Sequence, residues 1–463
     1  MNFQDCEYVE FGPSTTQRLE EQIAGVEARI RGLNPAAPVP YPNHQRSSVP
    51  SDRSLHHDVM QQLTSNFYAH AAQFGFFLDI PVSSSTLTPA LTSTIQLWSI
   101  HLSNSNFGHE LESEYLSRAV RATTDALSPP SRPQSPSPYA LIPTSNPQDH
   151  PRIILQAIQC HILLATYFFR NARLLEGKYH LGTAVGLVLG AGMHRRISTG
   201  SSARNNAFWT VYTMDCCWTS ADGSPSNFPQ DMQSQVDVHW PQETSSSPHG
   251  LGTITAFLTS RSMSGTSAQA LYAKAAILYE RASRLVIRYR PQMPPEELNN
   301  FFLAFTNIDT VIQQFRQTFF SQSPQDHPHL VAHILTHVAT IQLHNLFVGD
   351  REAESSRRRV LDAATGVVQA LATIQQLRLD DVDPIMGTLL TATGQVFLIS
   401  LAAHRSTVRV SGRHATWPES GVMPLKASVE RILDVMGLFA SRSKLMDSQH
   451  KALRESLGRA MQS

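Results

Sequence analysis

Charge is scarce in this 463-residue sequence: only 16% of residues are Asp, Glu, Lys or Arg, and the 37 basic side chains cancel the 37 acidic ones. A chain whose main surface were a nucleic-acid footprint would cluster positive charge, so this balance excludes that role for the bulk of the molecule. Cysteine is scarcer still. Cys6, Cys160, Cys216 and Cys217 follow no framework spacing, and the adjacent pair cannot easily bridge. That usage fits a reducing compartment, cytosol or nucleus. The signatures of common enzymes are missing: there is no G-x-S-x-G elbow, no Walker A loop, no C-x-x-C and no H-E-x-x-H. Alternating strand patterns and short-period repeats are absent as well. No apolar run reaches the length expected of a bilayer span. Met1 to Glu10 carries acids and no basic region, unlike a signal peptide.

Apolar residues, by contrast, make up 41% of the chain, enough to bury a large core, and their spacing is helical. The sequence therefore predicts an all-α protein. Residues 1–13 form an acidic N-terminal segment holding Cys6. A first helix follows over 14–33, with apolar residues at Leu19, Ile23, Val26, Ile30 and Leu33. Those steps of four and three make a seam with β-branched Ile at a and Leu or Val at d, which favours a parallel two-stranded coil. The seam covers little more than two heptads, and Gly25 weakens it. The alternative is an amphipathic helix packed on its own domain.

Residues 34–54 are a proline-rich linker. A large helical domain is expected over 55–445, with a polar tail helix over 446–463. Helical patterns occupy 57–78, 88–103, 109–127, 152–170, 178–196 and 203–220, and then run from about 266 to 440 in six long segments. Pro- and Ser-rich loops fall at 128–151 and between 221 and 265. The 152–170 segment is apolar nearly all round, as a central helix should be. Gly182, Gly186 and Gly190 sit four apart, predicting a face where another backbone packs closely. His329, His333 and His337 also sit four apart. A metal site is conceivable at that spacing, but apolar intervening residues favour packed core histidines. Arg357-Arg358-Arg359 reads as a solvated helix face before it reads as a nuclear signal.

Two segments carry a resemblance. The run FQDCEYVEFGPSTTQRLEEQIAGVEARIRGL (3–33) resembles the junction between the metal cluster and the coiled-coil helix of fungal zinc-cluster transcription factors. On that alignment Cys6 stands where the sixth cluster cysteine would be, and the chain starts inside the motif. The second segment, 150–242, resembles the family's middle homology region. Its motif reads Gly192-Met193-His194-Arg195, Arg204, Phe208-Trp209, Tyr212, Asp215, Gly223-Ser224-Pro225, Asp237 and Trp240-Pro241.

The resemblance implies a nuclear regulator of RNA polymerase II transcription, partnered by DNA and the transcription machinery. It would dimerise with itself or a relative through the coil and have no membrane partner. Zinc would be the cofactor of the full-length family form. A lone Cys6 cannot hold structural zinc, which needs about four ligands, so none is expected here and DNA binding should be weak or absent. Two alternatives are a DNA-binding-deficient dimerisation partner or co-regulator, and a helical small-molecule sensor.

Read physically, Arg204, Phe208, Tyr212 and Asp215 follow i, i+4, i+8, i+11 and line one helix face. Arg204 and Asp215 lie roughly 16 Å apart along the axis, too far to pair. Asp215 is expected to take hydrogen bonds from the 221–241 segment and pin it to the core.

Overall fold

The computed structural model describes residues 57–79, 86–103, 108–126, 150–196, 202–243, 252–259, 264–321, 323–348, 354–410 and 419–462. Cys6, the 14–33 seam and the 34–54 linker lie outside the described residues. The described residues are predominantly helical, with no strand among them. The α-helices are α1 (His57–His70), α2 (Pro89–Leu102), α3 (Gly108–Asp125), α4 (His150–Arg170), α5 (Leu174–Gly190), α6 (Ser202–Asp222), α7 (Thr253–Leu258), α8 (Ala268–Arg288), α9 (Pro295–Phe319), α10 (His327–Asn345), α11 (Glu354–Leu371), α12 (Ile374–Leu377), α13 (Ile385–Val410), α14 (Glu419–Ala440) and α15 (Lys444–Gln462).

Local chemistry explains many of the boundaries. Thr88 Oγ1 accepts from the Leu91 amide, Ser267 Oγ from that of Ala270, and Asp326 Oδ1 from that of His329, so α2, α8 and α10 each begin on a side-chain cap. Pro89, Pro295 and Pro328 occupy first-turn positions, where their missing N–H costs nothing. A 3-10 turn over Ala71–Phe74 ends at Gly75, and α5 ends just before Gly192. Both glycines adopt the left-handed backbone, with φ of 80° and 59°.

α4 runs through the interior, buried without interruption from Gln156 to Arg170. It turns sharply at 171–173 into α5, while α6 and α8 pack together and α8 packs extensively on α10. α11 covers the other side of α10, and α13, α14 and α15 form a three-helix group. One buried clamp ties this group to α4. Arg170 Nη2 meets Asp381 Oδ1 at 2.5 Å, with both side chains only 3% exposed. Arg170 Nε donates to the Arg442 carbonyl at 2.8 Å, and Ser443 Oγ donates to the Arg170 carbonyl at 3.1 Å.

Several expectations need correcting. Gly186 and Gly190 face solvent, and a Cβ at either position would meet nothing within 4 Å. The close approach is made by Gly177 instead, against the Phe169 ring. That contact lies one turn before the glycine series and was invisible to its spacing. α4 and the Ile385–His404 stretch of α13 are long and apolar enough to cross a bilayer, contrary to the reading of the sequence. Buried Gln, His and Thr side chains interrupt their apolar runs without making them polar overall, and 78% and 56% of these windows are buried inside the fold. A short helix, α7, stands where a loop was expected. The final helix begins at Lys444 and buries Leu445, Met446, Leu453 and Leu457 against its neighbours.

Candidate functional site

The motif residues scattered over fifty positions converge on one structure: residues 223–243 cross α6 as a strap. The strap starts where Gly223, at φ 73°, lets the chain turn off the helix end, and Pro225 follows on the exposed side. Asp215 then fastens it. Its carboxylate accepts from Ser226 Oγ at 2.5 Å, from Asn227 Nδ2 at 2.6 Å and from the Asn227 amide at 3.4 Å. The predicted pin is therefore present. Burial pushes the Asp215 carboxyl up from its ordinary value, and the Ser226 and Asn227 hydrogen bonds oppose that shift.

Phe228 fills the space beside Tyr212, ring centroids 4.9 Å apart, and lies edge-on to Phe208 at 6.2 Å. Further along, the strap is tied to the end of α5. Asp237 Oδ1 accepts from the Arg196 amide at 2.6 Å, and the Asp237 amide donates to the His194 carbonyl at 3.2 Å. Arg195 itself is exposed, while Met193 and His194 are buried. Arg204 does not reach Asp215. Its guanidinium donates to the carbonyls of Ala191 and Gly192 at 2.7 and 2.6 Å, supplying positive charge to the C-terminal end of α5.

The last fastening is aromatic. Trp209 Nε1 donates to the His239 carbonyl at 2.5 Å, and its ring stacks on Trp240 with centroids 4.4 Å apart. Lys274 of α8 lies over the far face of this group. Its ammonium is 4.9 Å from the Trp240 centroid, 5.4 Å from Phe257 and 5.3 Å from Phe319, and it donates to the Ser264 and Gly265 carbonyls. Burial lowers its pKa to about 8. Ser267 Oγ closes the strap by donating to the Pro241 carbonyl at 2.8 Å.

Asp215→Ala removes three hydrogen bonds and leaves Ser226 and Asn227 without their acceptor. We expect a stability loss of about 2 kcal/mol and faster amide hydrogen exchange concentrated in 223–243. Uniform exchange across that segment in wild type and variant counts against the pin.

Beneath the strap lies a cavity of about 260 Å³. Its walls are the 72–78 segment, the inner face of α6, Pro241 and Gln242 of the strap, the first turns of α8 and α10, and Asp383. Gln242 adopts the left-handed backbone at φ 61° without being glycine. On the floor, Asp383 Oδ2 accepts from Tyr272 Oη at 2.8 Å and its Oδ1 from the Ile385 amide at 3.0 Å. The Asp383 amide donates to His327 Nε2 at 3.0 Å, so that nitrogen carries no proton. Burial lowers the His327 pKa and raises that of Asp383. Sequence reasoning did not find Asp383, Tyr272 or His327. They lie on three elements far apart in the chain, and no local spacing relates them.

The histidine series is a packed core feature. His333 stacks on Phe320 at 4.9 Å with an 11° interplanar angle, and His337 lies 5.0 Å further on. Burial depresses them to about 4 and about 3. His344 bridges Ser356 and Asp309 at 3.2 Å each. Arg357 pairs with Glu354 at 2.9 Å and Arg359 with Asp309 at 2.9 Å, while Arg358 stays 81% exposed, so the basic run is a paired and solvated helix face.

The zinc that the resemblance implies would sit at Cys6, outside the described residues, and the described residues do not fit it. Cys160, Cys216 and Cys217 are buried free thiols whose ionisation burial opposes, Cys160 being pushed to about 12. Among the described residues no group of three His, Cys, Asp or Glu could hold a metal ion.

Compared with known proteins, residues 78–285 match the family model described as the fungal specific transcription factor domain. No curated protein and no solved structure matches the chain. The matched stretch runs from the cavity wall at Leu78 into α8, and it contains the whole strap and its fastenings.

Proposed function

We propose, for a chain that carries the fungal-specific transcription factor domain over residues 78–285, that it regulates RNA polymerase II transcription in the nucleus through that helical body. The coincidence of the matched stretch with the pinned strap carries this reading. A motif that serves only to fasten one irregular segment across a core helix is a scaffold for transmitting or restraining a signal, and no residue in it forms a nucleophile and base pair. On this reading the chain is a regulator and not an enzyme. Leu19, Ile23, Val26, Ile30 and Leu33 pair two chains, as a homodimer or with a relative, and the transcription machinery is the downstream partner.

Cys6 by itself falls short of the roughly four ligands a structural zinc needs, and the cysteines among the described residues are core thiols. The chain therefore binds DNA weakly on its own and acts by pairing with a DNA-binding relative. That reading is supported by a seam lying next to an acidic segment with no phosphate-binding side chains. The test is twofold. The full chain fused to an unrelated DNA-binding module should shift reporter transcription from that module's sites. Unfused, it should show no zinc-dependent, sequence-specific binding by fluorescence anisotropy. An unchanged reporter refutes the regulatory role, and tight zinc-dependent binding refutes the pairing mechanism.

A further inference from the structure

We propose that Ser224, at the turn where the strap leaves α6, is a phosphorylation site for a proline-directed serine kinase, and that the phosphate loosens the strap. The inference stands apart from the transcriptional reading, since it concerns a covalent change to the chain and its local effect. Among the described residues Thr88, Ser224 and Ser323 each precede a proline. Such a kinase needs a reachable hydroxyl on extended backbone with a reachable proline after it, and the proline itself disfavours helical backbone in the residue before it. Thr88 is engaged as the cap of α2, its Oγ1 accepting from the Leu91 amide. Pro324 is buried. At the strap both conditions hold: Pro225 is exposed, Ser224 is partly exposed, and neither belongs to a helix. Gly223, left-handed at φ 73°, turns the pair away from the end of α6.

The reaction is phosphoryl transfer from MgATP. The kinase's own base takes the Ser224 hydroxyl proton and Oγ attacks the γ-phosphorus. The bond from that phosphorus to the β-phosphate oxygen breaks, and ADP leaves. The product carries about two negative charges on Ser224.

The neighbours of Ser224 Oγ decide what those charges do. Lys178 Nζ of α5 donates to it at 3.4 Å and also pairs with Asp222. Asp222 is the last residue of α6, and its Oδ1 accepts from the Ser224 amide at 3.0 Å. Before modification the Lys178–Asp222 pair is neutral. A phosphate draws on the same ammonium, and the cluster then holds a net charge of about −2 at the C-terminal end of a helix, where anions are disfavoured. Asp222 loses part of its counter-charge while it faces the new one. Two and three residues further on, Ser226 and Asn227 donate to the Asp215 carboxylate. The repulsion therefore acts right beside the fastening that holds the strap to α6.

The test incubates the full chain with MgATP and a purified mitogen-activated protein kinase, a proline-directed enzyme, and maps phosphate by mass spectrometry. Ser224 should be modified in the native protein. Pro225→Ala keeps the hydroxyl, removes the proline and should lose incorporation at Ser224. Amide hydrogen exchange over 223–228 should be at least about threefold faster in the phosphorylated wild type, the effect of two negative charges at a helix C-terminus. Ser224→Ala treated in the same way should show no acceleration there, which separates this site from the other Ser-Pro pairs of the chain. The proposal is overturned if the kinase leaves Ser224 untouched, or if Pro225→Ala is modified as readily as wild type. It is equally overturned if the phosphate leaves exchange over 223–228 unchanged or slows it, or if treated Ser224→Ala accelerates like wild type.

Discussion

Acidification from pH 7 to pH 5 lowers the stability of this fold by about 4 kcal/mol or more. The cause is a set of buried imidazoles. Burial holds His161 near 3, His180 near 4, His333 near 4 and His337 near 3, all well below the ordinary 6.5 of a histidine. Their surroundings offer little to stabilise a charge. His161 and His180 face each other through Nδ1 atoms 3.0 Å apart, so protonating both would set two cations together. His180 stacks on Phe168, and His333 on Phe320 with His337 beyond it and Arg316 nearby.

The sign follows from linkage. Below pH 6.5 the unfolded chain takes up protons at these positions and the folded chain refuses them, so stability is full above 6.5 and is lost as pH falls toward 4. Each group contributes up to about 1.4 kcal/mol per pH unit in that window. Asp215, Glu280 and Asp383 act in the opposite direction, because burial raises their pKa values and protonation relieves them, recovering part of the loss. Urea denaturation at pH 7, 6 and 5 measures the slope. His333→Phe should keep the stacking, lose no hydrogen bond and reduce the slope by one proton. A flat profile between pH 7 and 5 rules the mechanism out.

Arg170→Met should cost about 3–5 kcal/mol, the usual penalty for breaking a fully buried ion pair from one side. The variant leaves the Asp381 carboxylate, 3% exposed, with Arg442 as its remaining cation at 3.3 Å, and strips the Arg442 carbonyl of its donor. Adding Asp381→Leu should recover a large part of the loss, since it is the unpaired charge that costs most. Chemical denaturation of the two variants decides the point. A single variant within about 1 kcal/mol of wild type would show that the clamp contributes no more than an exposed pair.

Helix positions were legible in the sequence because the apolar period and the cap residues agree. The 152–170 segment, for example, lies within α4, His150–Arg170. The strap was legible in part. The motif around Asp215 placed its acceptor correctly, because a charge 11 positions from Arg204 on one helix needs a partner elsewhere. The glycine series misled because spacing defines a face and not what covers it. The cavity could not be read at all. Gln73, Asn206 and Gln269 are ordinary polar residues in their local windows, and only tertiary packing removes their oxygens from water.

The pairing of α8 with α10 has a consequence for how the molecule can be divided. The matched stretch stops within α8, at residue 285, while Ala273, Ala275, Ala276 and Ala282, spread around that helix, are all fully buried, and its face toward α10 needs α10 to cover it. A fragment cut at the family border would expose that face to water and aggregate. The matched stretch is thus smaller than the compact unit that contains it, residues 57–463.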